Sequence, residues 1–111
     1  MFAQDREWAK AIADISQTIK IVSDDPTYYL VRARYYEANR EFENALKDAD
    51  LAIVLKPRSG EYLVERLVIL RLMGREQDVQ TDLDRLTPSN PLLPRLLEDR
   101  WAKFRTPAPA P

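Results

Sequence analysis

The chain has 111 residues, with 17 basic and 18 acidic side chains and a net charge of −1. A balance this even excludes a general electrostatic pull toward nucleic acid or an acidic membrane. It has neither cysteine nor histidine, which excludes disulfides, thiolate chemistry, Cys/His metal sites and the commonest general base.

No apolar run approaches the ~20 residues a bilayer span requires. The compartment is left unknown, with the cytoplasm as the default. Only two glycines occur, and the apolar pattern is helical. In the first helix Trp8, Ile12, Ile15, Ile19 and Val22 fall on one stripe. Asp5 is the expected N-cap, and Asp24-Asp25-Pro26 ends the segment. Asp25 then caps helix two, with Pro26 at its first position, where a missing N–H costs nothing.

Helix two is expected from Pro26 to Ala38, and Asn39-Arg40-Glu41 makes the turn. Helix three follows from about Glu41 to Leu55, with Ala45, Ala49 and Ala52 on its inner side. Pro57 and Ser59-Gly60 stop it and start the next. Helix four covers about Glu61 to Leu72, and Gly74 fits a left-handed C-terminal position. Helix five covers about Arg75 to Leu86, and Thr87-Pro88-Ser89-Asn90-Pro91 is the next break. Helix six covers about Leu92 to Phe104. The tail, residues 106–111, is proline-rich and expected to be extended and unpacked.

A shift of 34 residues superposes these helices without gaps. Ala11, Ala45 and Val79 coincide, as do Ile15, Ala49 and Leu83. In the other helix type Tyr29, Leu63 and Leu97 coincide, and so do Phe2, Tyr36, Leu70 and Phe104. Pro57 and Pro91 share one inter-repeat turn. This period is that of a helix–turn–helix unit. The segment Tyr29-x-x-Arg32-Ala33-x-x-Tyr36, followed by Ala45-x-x-x-Ala49 and Pro57, resembles a tetratricopeptide repeat. The next unit matches more weakly through Leu63, Leu67, Leu70, Val79, Leu83 and Pro91. The likeness spans roughly residues 2–104.

The resemblance implies an all-α, right-handed superhelical solenoid of antiparallel helix pairs, about six helices within residues 1–105. Ala33 and Ala45 are small where paired helices cross, and the larger Trp101 suits an end helix that caps the last apolar face. Phe2 takes the place of the last aromatic of an otherwise absent helix. The expectation is a segment of a longer array; a natural half-repeat is the alternative. Two departures stand out. The family's Leu is Arg32, Arg66 and Arg100, spaced 34 apart. These could grip a partner's carboxylates or pair with acids on neighbouring helices. The family's large aromatic is Ala49, leaving room for Tyr28, Tyr35 or Tyr36.

No phosphate-cradling loop occurs, and the pairs Asp24-Asp25 and Asp82/Asp84 read as caps or solvated faces. The expectation is a non-enzyme without cofactor. The family binds ligands on the concave surface lined by the first helix of each pair. Carried over, that groove consists of Leu30, Arg34 and Glu37 from helix two, Val64, Val68, Arg71 and Leu72 from helix four, and Arg105 from helix six. The Lys and Asn set that co-chaperone relatives use for a C-terminal carboxylate is missing. A protein partner offering an apolar and acidic helix or extended segment is expected; no nucleic acid and no membrane span are. The alternative is self-association through the end helices, at Trp8/Ile12/Ile15 or Trp101/Phe104.

Overall fold

The computed structural model describes the backbone of residues 2–105 and the side chains of residues 7–103. These residues form six helices and no strand: α1 (Phe2–Ile21), α2 (Pro26–Ala38), α3 (Phe42–Leu55), α4 (Gly60–Leu72), α5 (Glu76–Leu86) and α6 (Leu93–Arg105). No helix among them is long and apolar enough to cross a membrane. The expected bounds hold to within about a residue from α2 onward. Asp5 is corrected: α1 already runs from Phe2, so Asp5 lies inside it and does not cap it. The proline-rich tail lies outside the described residues.

The helix ends repeat as faithfully as the helix faces. Asp25 caps α2 by accepting from the Thr27 N–H at 2.9 Å. Thirty-four residues on, Ser59 caps α4 by accepting from the Tyr62 N–H at 3.3 Å. At the far ends, Arg40 (φ 61°) and Gly74 (φ 77°) both turn left-handed. The next residues close matching bonds, Glu41 N–H to the Tyr36 carbonyl at 2.8 Å and Arg75 N–H to the Leu70 carbonyl at 2.9 Å. These bonds satisfy carbonyls that a helix end would otherwise leave orphaned.

The two helix pairs are packed differently. α2 and α3 make the most extensive contact in the molecule, while α4 and α5 touch over much less. Side-chain size at equivalent buried positions differs in the same sense. Ala33 and Ala45 are fully buried in the first pair. Their repeat equivalents in the second are Leu67 and Val79, also buried but larger. Bulk at a crossing holds helix axes apart. Of the tyrosines expected near Ala49, Tyr36 packs with Phe42, Leu46 and Met73 on the cluster of Ala45, Ala49 and Ile69.

α4 is the hub. Eight of its 13 residues are buried, the mark of a helix surrounded by others. Leu63, Val64, Leu67, Val68 and Leu70 pack with Val79 of α5 and Leu93 and Leu97 of α6. Tyr62 joins a second cluster with Ile19, Tyr29, Leu30 and Ala52. α6 breaks the repeat. α4 leans chiefly on α3 and only lightly on α2, whereas α6 leans chiefly on α4 and only lightly on α5. Its start differs too: position 93, where Asp25 and Ser59 stand in the earlier units, is a fully buried Leu.

Candidate functional site

The first helices of the units, α2 and α4, together with α6, enclose an open cavity of about 580 Å³. Arg34 lines it from α2, Gly60, Glu61 and Val64 from α4, and Leu96, Asp99, Arg100 and Lys103 from α6. A β-carbon added at Gly60 would stand 3.3 Å from the Leu96 Cδ1, so the two helices approach closely at the α4 start. The walls mix apolar Val64 and Leu96 with three cations and two acids.

Beneath this cavity lie two buried carboxyls. Glu65 of α4 is 1% exposed and Glu37 of α2 is 6% exposed. The Glu65 Oε1 accepts from Arg34 Nε at 3.2 Å and from Arg100 Nη2 at 3.3 Å. One oxygen of each acid, Oε2 in both, has no donor in the structure. The two carboxyls are coupled, and a proton shared between them would give each of these oxygens a partner. Burial, then the hydrogen bond to Glu65 and its charge, push Glu37 up to about 10. For Glu65 burial acts upward, but the hydrogen bond with Glu37 and the charges of Arg100 and Arg34 outweigh it, and its pKa falls. Burial and coupling thus favour a proton on the Glu37 side of the pair, with the Glu65 charge facing two guanidinium groups.

The sequence-predicted groove residues meet different fates. Arg34, with its side chain 42% exposed, and Val64 line the cavity. Leu30, Glu37 and Val68 are buried, and Val64 keeps only 5% of its surface. Expected as an apolar strip open to a partner, Leu30 and Val68 instead belong to the core. α6 lies over α4, and Leu30 packs among Tyr29, Ile19 and Tyr62. Leu72 is half-buried on the α4–α6 cluster. Arg71 is engaged within the chain: it donates to Glu76 at 2.9 Å and to Glu98 at 3.2 Å, and it lies 5.3 Å from the Trp101 ring centroid. The Arg105 side chain lies outside the described residues.

Glu65 was missed. It stands in the run Leu63-Val64-Glu65-Arg66-Leu67-Val68, and an acid set among apolar residues on both sides is the available signal of a buried charge. The arginine ladder pairs within the chain. Arg32 reaches Asp48 and, at 3.0 Å, the Ser16 hydroxyl. Arg66 reaches Asp82 and, at 2.8 Å, Asp50. Each of these two guanidiniums thus ties the second-type helix before it to the one after it, always sixteen residues away in either direction. Arg100 instead turns to Glu65.

The end helices are less bare than expected. Trp8 and Ile15 are half-buried, Trp8 against Tyr35 with ring centroids 5.8 Å apart. The Phe104 side chain lies outside the described residues. Among the described residues the most exposed large apolar side chains are Ile21, Val54 and Leu92.

The described residues form an all-helical fold, and the chain carries a tetratricopeptide-like helix-pair repeat. It is 27% identical over 124 aligned residues to tetratricopeptide repeat protein 36 of Xenopus tropicalis, an alignment covering 95% of this chain. The chain spans 61% of that relative's length. No family model matches it.

Proposed function

We propose that this protein is a non-enzymatic interaction module that binds a helix or peptide of a partner protein on the face formed by α2, α4 and α6. The likeness to a tetratricopeptide repeat protein supports the class. The observation that carries the site is the cavity of about 580 Å³, where side chains from all three helices converge. Its apolar wall of Val64 and Leu96, rimmed by Arg34, Arg100 and Lys103, suits a segment with an apolar anchor beside acidic groups. No cofactor is required for this role.

The test is a comparative capture with the full chain and the double variant Arg34→Glu/Lys103→Glu. Arg34 and Lys103 are both exposed, but Arg34 also donates to the buried Glu65, so the single variant Lys103→Glu and a helicity measurement separate lost binding from lost fold. Proteins held by the parent and lost by the variant support the reading; an unchanged set of captured proteins ends it.

A second reading is self-association, now favoured less at the end helices than at the outer face of α3, where Leu51, Val54 and Leu55 are 44%, 73% and 41% exposed. Sedimentation that finds only monomer at high concentration removes it.

A further inference from the structure

Three observations concern α6. It leaves the packing arrangement of the earlier units and lies mainly on α4. It carries a specific pattern: Leu93 and Leu97 are fully buried on the face of Val64 and Val68, Glu98 bonds Arg71 at 3.2 Å, and Trp101 stacks on that same arginine. It is tethered through Thr87-Pro88-Ser89-Asn90-Pro91-Leu92, a connection with two prolines, and makes little contact with α5. The groove residues of α4 thus meet an amphipathic helix with apolar anchors and an acid, the chemistry this face was expected to select.

We infer that α6 is a built-in occupant of the α4 face, displaced when a partner helix of the same pattern binds. This rests on the interaction role proposed above, with the α2–α4–α6 cavity as the place of first contact and the α4 face as the final seat. The partner carries two Leu-class residues four apart, an acid directly after the second, and an aromatic three residues beyond the acid, as in Leu93, Leu97, Glu98 and Trp101. The apolar pair fills the space over Val64 and Val68, the acid meets Arg71, and the aromatic ring covers the guanidinium. The structure favours this occupant because α6 itself shows the match in shape and charge. The cavity beside Arg34 and Gly60 is the part of the face that α6 leaves unfilled, and an incoming helix can start there. A closed resident helix lowers apparent affinity by the fraction of time the face is open.

The experiment uses the full chain and a fluorescein-labelled peptide of residues 92–105, read by anisotropy. Leu97→Ala in the full chain weakens the hold of α6 without touching α4. The expected result is peptide binding about tenfold tighter to this variant than to the parent, lost when the peptide itself carries Leu97→Asp. Equal binding to parent and variant, or none to either with helicity retained, overturns the inference. A variant dimer in sedimentation also overturns it, assigning the face to a second copy by exchange of α6. If the variant unfolds, amide hydrogen exchange on the parent decides. Displacement requires α6 amides to exchange through local opening well before those of α4; equal protection of the two helices sinks it. Failure here leaves the charge-reversal capture to judge the interaction role separately.

Discussion

Arg32 holds Asp48 through two parallel contacts, Nε to Oδ2 at 2.7 Å and Nη2 to Oδ1 at 2.8 Å. The pair joins α2 to α3 beside the fully buried Ala33 and Ala45–Ala49 positions, and Asp48 is 2% exposed. The hydrogen bond to Asp48 and its charge raise the Arg32 pKa further, so the guanidinium remains charged throughout the working range.

Asp48→Ala removes one partner and strands a largely buried cation. The expected cost is about 3 kcal/mol in urea unfolding. The double variant Arg32→Met/Asp48→Leu removes both charges and should recover most of that loss. A double variant as unstable as the single one would show that the pair stabilises beyond its own desolvation.

Glu37→Gln tests the shared proton. The folded pKa of about 10 lies above the ordinary 4.5. Between those values the folded chain keeps a proton that the unfolded chain has released, so stability falls as pH rises through this window. Glutamine has no such proton to lose. The variant should therefore gain on the parent as pH rises from 5 to 9. Parallel stability curves for the two proteins would show that Glu37 is ionised in the fold.

Arg40 and Gly74 occupy the same left-handed position of their units, at φ 61° and 77°. Arg40→Gly relieves a non-glycine residue of that conformation and should stabilise by about 1 kcal/mol, less the contact of its guanidinium with the Phe42 ring at 5.6 Å. Gly74→Ala should cost about 1 kcal/mol although nothing stands within 4 Å of the added carbon. Thermal melts of both variants check the pair, and a destabilised Arg40→Gly would mean that the ring contact outweighs the backbone.

Ala49 is fully buried with Tyr36 packed against it. Ala49→Phe restores a large side chain where the tyrosine already fills the space. The expected cost is about 2 kcal/mol, and adding Tyr36→Ala should return much of it. Non-additivity in a double-mutant cycle is the measurement.

What could be read without coordinates was local or periodic. Helix stripes, the cap at Asp25, the break at Ser59-Gly60, the left-handed Gly74 and the 34-residue recurrence depend on residues a few positions apart, or on one unit repeated. The ladder Arg32, Arg66, Arg100 could be seen, but its choice of acids could not, because those partners lie on other helices. The fate of the groove strip belonged to the tertiary structure alone. Leu30 and Val68 look the same in a sequence whether a face is open or covered. Bulk at Leu67 and Val79 accompanies the looser α4–α5 contact, and α6 lies on α4, closing over Val68 and joining Arg100 to Glu65. Short-range preferences decide which segments become helices; which surfaces remain in water is decided when the last helix finds its place.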